Sequence, residues 1–195
     1  MSLAMSAIPQ LQPRLENESW QLLPLKQSDF EEVYAVASDP LVWEQHPNKD
    51  RWKREVFSVF FEGAMQSGGA FKVVNKASGE VLGCTRFYDY QPADNSIHIG
   101  YTFYGRNSWG KGINLAVKAL MLDHIFQWVD RVDFHVGAEN KRSQMAMQRL
   151  GARKVAEKVV AYFGEADKLN FVYAIEKKEW MGELKTNRIK QSWMM

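Results

Sequence analysis

The segment Gly105-Arg106-Asn107-Ser108-Trp109-Gly110-Lys111-Gly112 carries residue types suited to holding a phosphate, namely glycines that let backbone approach an anion and a lysine. It lies between an alternating run, Ser96 to Tyr104, and a long apolar helical pattern that includes Leu115, Val117, Leu122 and Phe126. A loop so placed presents the unpaired N–H groups of a helix start at the positive end of the helix dipole. Gly105, four residues, Gly110 and Lys111 match the first seven positions of the P-loop of nucleotide hydrolases. The eighth must supply a Ser or Thr hydroxyl for Mg²⁺, and here it is Gly112, which argues against ATP or GTP hydrolysis. Taken alone, the segment is either a phosphate loop or a plain turn.

A second segment bears on that choice. Asn140-Lys141-Arg142-Ser143 opens a helix that ends at Leu150-Gly151-Ala152 and follows a short strand, Val132 to Val136. Together the two segments resemble the GNAT acetyltransferases, in which a Q/R-x-x-G-x-G/A loop holds the CoA pyrophosphate and an N-x-x-S helix supports the pantetheine arm. Ile99-Gly100-Tyr101-Thr102, Trp109-Gly110, Asn114, Lys118 and Asn140-x-x-Ser143-Gln144 are similar to the RimJ/RimL-type branch, and the resemblance spans residues 18 to 180. Asn107 stands in the usual Gln/Arg slot, a departure from the pattern.

The resemblance implies a single α/β (α+β) domain with a mixed, mostly antiparallel central sheet flanked by helices. It also implies direct transfer of an acetyl group from acetyl-CoA to a primary amine. Backbone N–H groups of Trp109, Gly110, Lys111, Gly112, Ile113 and Asn114 would face the pyrophosphate, with Lys111 adding positive charge. A main-chain N–H at Phe103 or Tyr104 would polarise the acetyl carbonyl. Asn140 would bind the pantetheine amide, and Ser143 would hydrogen-bond the sulfur or CoA. Relatives often carry Glu two residues before the Gly-Tyr pair, where this chain has His98.

The residues also admit plainer readings. Regular alternation would put His98, Gly100, Thr102 and Tyr104 on one face, so His98 is either the base that takes the amine proton or a histidine hydrogen-bonded within the sheet. Asn140 and Ser143 stand where helix caps are common. An α-amine of pKa ~7.8 costs only about 1 kcal/mol to neutralise at pH 7, against about 4.6 for a lysine near ~10.4. A weak base therefore suffices for an α-amine. A RimJ/RimL-like resemblance points to a protein or peptide N-terminus. Small amines, amino acids and antibiotics remain alternatives, and so does a non-catalytic acyl-CoA-binding domain. The acceptor walls would come from residues 40 to 66 and 160 to 170.

The elements that must position these groups follow from periodicity. Strands are expected at Trp20 to Leu25, Phe71 to Asn75, Val81 to Tyr88, Ser96 to Tyr104, Val132 to Val136, Val155 to Phe163 and Leu169 to Ile175. Helices are expected from Ser28 to Ala37, within Lys49 to Gln66, after the glycine loop, and from Ser143 to Leu150. Residues 1–17 read as an irregular N-terminal segment, 18–180 as the acetyltransferase domain and 181–195 as a C-terminal helical extension. The aromatic group Phe87, Tyr88, Tyr90, Tyr101, Phe103, Tyr104 and Trp109 divides between core and acceptor channel in a way that sequence does not sort.

At 195 residues, with 46% hydrophobic residues, 25% charged residues and a net charge of +2, the chain fits one globular domain with no bias toward nucleic acid. One cysteine, Cys84, excludes an internal disulfide and fits a reducing cytoplasm, as a small buried hydrophobe. His46, His98, His124 and His135 show no metal-binding spacing, so no metal site is expected. No membrane segment is expected, and a homodimer is the default assembly.

Overall fold

Strong period-two patterning in the middle of the chain builds one eight-stranded sheet in this computed structural model, which describes residues 9–162 and 164–184. The strands are β1 (Leu15–Glu16), β2 (Trp20–Pro24), β3 (Ala70–Asn75), β4 (Val81–Gln91), β5 (Ser96–Tyr104), β6 (Arg131–Gly137), β7 (Arg153–Val160) and β8 (Lys168–Glu176). Their order across the sheet is β1-β2-β3-β4-β5-β6-β8-β7. The helices are α1 (Phe30–Ala37), α2 (Arg54–Gln66), α3 (Ile113–Ile125) and α4 (Lys141–Leu150). The fold is the expected single α/β domain with a mostly antiparallel sheet.

Helices cover both faces. On one, Ile97, Ile99 and Phe87 pack with Val117, Met121 and Ile125 of α3 and with Met147 and Leu150 of α4. On the other, Cys84 and Phe103 pack with Val33 and Ala37 of α1, Trp43, and Phe57, Phe60 and Phe61 of α2. Helix α2 starts at Arg54 because the preceding residues form a turn, with the Lys53 N–H donating to the Asp50 carbonyl at 2.9 Å. In the N-terminal segment, residues 15–16 pair with β2, and the Gln12 side chain donates to the Ala70 carbonyl at 2.8 Å. Residues 1–8 of that segment, Phe163, and residues 185–195 of the expected C-terminal extension lie outside the described residues.

Strand β5 departs from regularity twice. Its neighbours are antiparallel β4 and parallel β6, the latter because α3 carries the chain back across the sheet. The parallel ladder joins Ser96, Ile97 and His98 to Arg131, Val132 and Asp133, and the strands then part. Against β4, Gly100 pairs with Arg86 but Phe103 pairs with Cys84, so β5 holds one residue more than its partner. This is a bulge at Tyr101, whose φ is +52°.

The bulge corrects the expected alternation. His98 and Gly100 share a face with Tyr101 and Phe103, whereas Thr102 and Tyr104 turn to the α3 face. There the Thr102 hydroxyl lies 2.6 Å from Lys118 Nζ and 2.8 Å from the Thr85 hydroxyl. Lys118 is 2% exposed and also lies 3.0 Å from Thr85 Oγ1, so this residue of the resemblance is in the core.

Burial lowers the Lys118 ammonium from 10.5 to about 7. The unfolded chain thus binds more protons than the folded one between these values, and stability rises with pH there. The cost at pH 7 is on the order of 4 kcal/mol. A Lys118→Met variant should be more stable than the parent at pH 7, because Thr85 and Thr102 still bond each other. Urea unfolding should show the parent gaining about 1.5 kcal/mol from pH 7 to 8.5 and the variant gaining little.

Candidate active site

The glycine loop has a backbone suited to an anion. Gly110 and Gly112 adopt φ of +75° and +73°, a region that other residues enter at a cost. Gly112 is the N-cap of α3 and makes no side-chain cap bond, so the first-turn N–H groups after it have no capping oxygen. Trp109 fixes the loop by donating its indole N–H to the Tyr104 carbonyl at 3.0 Å. The Arg142 guanidinium lies 3.8 Å from the centre of the Trp109 ring and pairs with Glu44 at 2.6 Å. Arg142 thus stacks on a loop that also carries exposed Lys111, a placement that sequence spacing did not single out. Asn107 turns away, donating to Glu80 at 3.2 Å along a depression between α1 and the β3–β4 turn.

The second segment forms α4 as expected. Asn140 caps it, its side-chain oxygen accepting the Ser143 N–H at 3.0 Å, so the capping role is realised. Gln144 donates to the Ala138 carbonyl at 2.8 Å, tying the helix start to the end of β6. At that end, a Cβ on Gly137 would lie 2.5 Å from Pro47 Cγ, so glycine is what lets residues 44–48 close onto β6. The Asn140–Ser143 turn and the glycine loop thus flank the place where β5 and β6 part.

On the α1/α2 face, His98 is 8% exposed, and its ring centre lies 4.6 Å from that of His135 on β6. His98 Nδ1 stands 3.6 Å from an Asp89 oxygen, beyond hydrogen-bond reach. His98 Nδ1 and His135 Nε2 are buried without a hydrogen-bond partner among the described residues. The Tyr88 hydroxyl is 3.4 Å from His135 Nδ1. A recess of about 260 Å³ beside His98 is lined also by Asp89, Ser96, Arg131 and Asp133. His135 had no signal of its own in the sequence, since its partner on β5 is distant along the chain and is reached only through the parallel pairing.

Farther along this face, buried Arg51 pairs with Glu165 at 2.5 Å, and Trp43, Phe60, Tyr101 and Tyr162 surround its guanidinium. The ion pair joins the two segments expected to wall the acceptor side. Arg86 of β4 stacks on Tyr101 at 3.4 Å. Neither arginine was singled out from sequence, although an arginine within the mostly apolar run Val81 to Phe87 is the signal that marks Arg86. The aromatic group is now sorted. Phe87 and Phe103 are core, Tyr90 and Tyr104 pack against it, Trp109 holds the loop, and Tyr88 and Tyr101 border the histidines and arginines. Cys84 donates to the Phe71 carbonyl at 2.9 Å, and burial pushes its thiol up to about 12, so it is no thiolate nucleophile at neutral pH.

Burial, and then the neighbouring His98, lower His135 from 6.5 to about 4. The unfolded chain takes up this proton first, so stability is lost as pH falls from 6.5 toward 4. Chemical denaturation should show His135→Asn losing less than the parent over that window, by about 1 to 2 kcal/mol after solvent screening.

The chain matches the family model of the acetyltransferase (GNAT) domain over residues 21–153. A GCN5-related N-acetyltransferase from Brucella melitensis is similar at 22% identity, with a TM-score of 0.79 over 94% of this chain and 86% of that one. RimJ from Mycobacterium smegmatis, solved with CoA-disulfide, is similar at 19% identity, TM-score 0.68, over 92% and 93% of the two chains. Spermidine N-acetyltransferase from Vibrio cholerae, solved with CoA and spermine, is similar at 13% identity, TM-score 0.65, over 85% and 100%. At these identities the likeness is one of fold. A comparison with curated protein sequences gives no match. No helix among the described residues is long and apolar enough to cross a membrane. The family match runs from β2 into β7 and takes in both the glycine loop and the parting of β5 from β6; the chain belongs to the GNAT acetyltransferase family and is an acetyl-CoA-dependent N-acyltransferase.

Proposed function

We propose that this enzyme acetylates a primary α-amine, in the manner of the RimJ/RimL-like branch, with His98 as the group that takes the amine proton. The observation that carries this reading is the parting of β5 from β6 immediately after His98, with the uncapped start of α3 at the same end of β5. The proposed acetyltransferase domain is residues 18–180.

Acetyl-CoA supplies an acyl carbon already activated as a thioester. The N–H groups from Trp109 to Asn114 hold its pyrophosphate, with Lys111 and Arg142 adding charge. A main-chain N–H at Phe103 or Tyr104, just beyond the bulge, donates to the oxygen on which negative charge develops. His98 accepts the proton as the amine attacks, directly or through water in the adjoining recess. Ser143 donates to the departing sulfur, and Asn140 orients the pantetheine arm. An α-amine needs no stronger base than this, because neutralising it costs about 1 kcal/mol at pH 7.

The Arg51–Glu165 ion pair favours a second reading of the acceptor. It closes the wall between the segment before α2 and the β7–β8 connection, and a closed wall suits a free small amine better than a protein N-terminus.

Replacing His98 by Ala should lower kcat by about 10²-fold at pH 7. Acetyl-CoA affinity, measured by calorimetry, should stay unchanged. An unaltered rate and pH profile would remove His98 from the mechanism.

A further inference from the structure

Two arginines lie buried on the α1/α2 face, and one carboxylate serves them. Arg51, 2% exposed, holds Glu165 Oε1 through its Nε at 2.6 Å and its Nη2 at 2.5 Å, and its Nη1 is 3.1 Å from His46 Nε2. Arg86, 3% exposed, pairs across the sheet with Gly100, and its guanidinium carbon lies 3.4 Å from the Tyr101 ring centre and 5.2 Å from that of Phe60. Its Nε and Nη2 have no hydrogen-bond partner among the described residues.

Those two N–H groups occupy one edge of the planar guanidinium, the edge a carboxylate takes with both oxygens. It is the same edge by which Arg51 holds Glu165. Among the described residues, the groups that act on Arg86 besides burial are Tyr101, Cys84, Arg51 and Tyr88, none of them a carboxylate. Although burial lowers Arg86, it does so only to about 10, so the side chain stays a cation at neutral pH. A buried cation is expensive unless something pairs with it. The position adjoins Tyr101, whose ring packs against Tyr88, and Tyr88 in turn borders His98.

Resting on the acetyltransferase reading above, we propose that the acceptor amine carries a carboxylate and that the Nε/Nη2 edge of Arg86 binds it, leaving the amine toward the gap between β5 and β6. Arg86 is then a specificity-determining residue, and Arg51 with Glu165 closes the site over the bound acid. The carboxylate comes either from a free amino acid or from an acidic residue at a peptide N-terminus. Polycations without an anion fall outside this class, since at the Arg86 edge they would meet two guanidinium groups whose one carboxylate, Glu165, is already paired with Arg51.

The test uses the full chain saturated with CoA and a thermal-shift screen in two arms. One arm compares proteinogenic amino acids with their carboxamides. The other compares amidated tetrapeptides bearing Asp or Glu at the first or second position with their Asn or Gln counterparts. Compounds that bind are then assayed with acetyl-CoA. In one arm, a carboxylate compound should stabilise the protein and show kcat/KM about 10²-fold or more above its amide. In Arg86→Gln that ratio should collapse toward one, while the dissociation constant for CoA is retained. Arg86→Lys, which keeps the charge and loses the two-pronged edge, should fall between.

A response in the first arm identifies a free amino acid, and one in the second a peptide. Equal treatment of carboxylates and amides in both arms by the unaltered protein overturns the proposal, whatever the variants do. Absence of any CoA shift counts instead against the acetyltransferase reading. Run without CoA, the binding screen needs no turnover and decides the carboxylate in that case as well.

Discussion

Strand β5 keeps β4 along its length and gives up β6 after three residues, and the candidate site is arranged around that loss of pairing. Parallel strands joined through a helix normally run together, so an early parting leaves backbone groups of both strands to find other partners. The gap it makes lies between the start of α3 and the start of α4, the two helix ends that the sequence marks with glycine and with Asn140. The Tyr101 bulge acts on the same strand. By inserting one residue it sends Tyr101 and Phe103 to the side of His98 and sends Thr102 to Lys118. Two departures from a regular ladder thus set where the sheet opens and which side chains line the opening.

The interior on either side of β4 and β5 is unusually rich in cations. Lys118 lies beneath the bulge among threonines, and Arg51 and Arg86 lie above it among aromatic rings. Each of these groups works against stability, since burial disfavours charge and only Glu165 offsets it. The aromatic faces of Tyr101 and Phe60 soften the penalty for the arginines through their ring quadrupoles. Such placement matches the general pattern in which costly buried charge collects at functional sites. Lys118 differs from the arginines in being able to shed its proton, which is why its effect is on pH-dependent stability.

The order of strands and helices was legible because hydrophobic period switches cleanly between two and nearly four along this chain. The loop from Gly105 to Gly112 and the capped helix at Asn140 were legible because glycine and helix caps are local signals. Nothing local announces the bulge, for Tyr is an unfavourable residue at positive φ and its neighbours alternate smoothly. The error it produced, placing Thr102 and Tyr104 beside His98, is the one-residue slip that reverses a strand's faces. His135, Arg51, Arg86 and Arg142 were missed for a related reason. Their partners, His98, Glu165, Tyr101 and Trp109, are brought together only by the sheet and its connections.

The uncapped start of α3 and the parted strands are the proposed binding site for acetyl-CoA. Thermal unfolding with acetyl-CoA, CoA and Mg-ATP tests it most directly, since a ligand at 100 times its dissociation constant adds roughly 2.7 kcal/mol of stability. Both CoA forms should raise the unfolding temperature, and Mg-ATP should leave it unchanged. No rise with either CoA form at saturation, or a rise with Mg-ATP alone, would contradict that assignment.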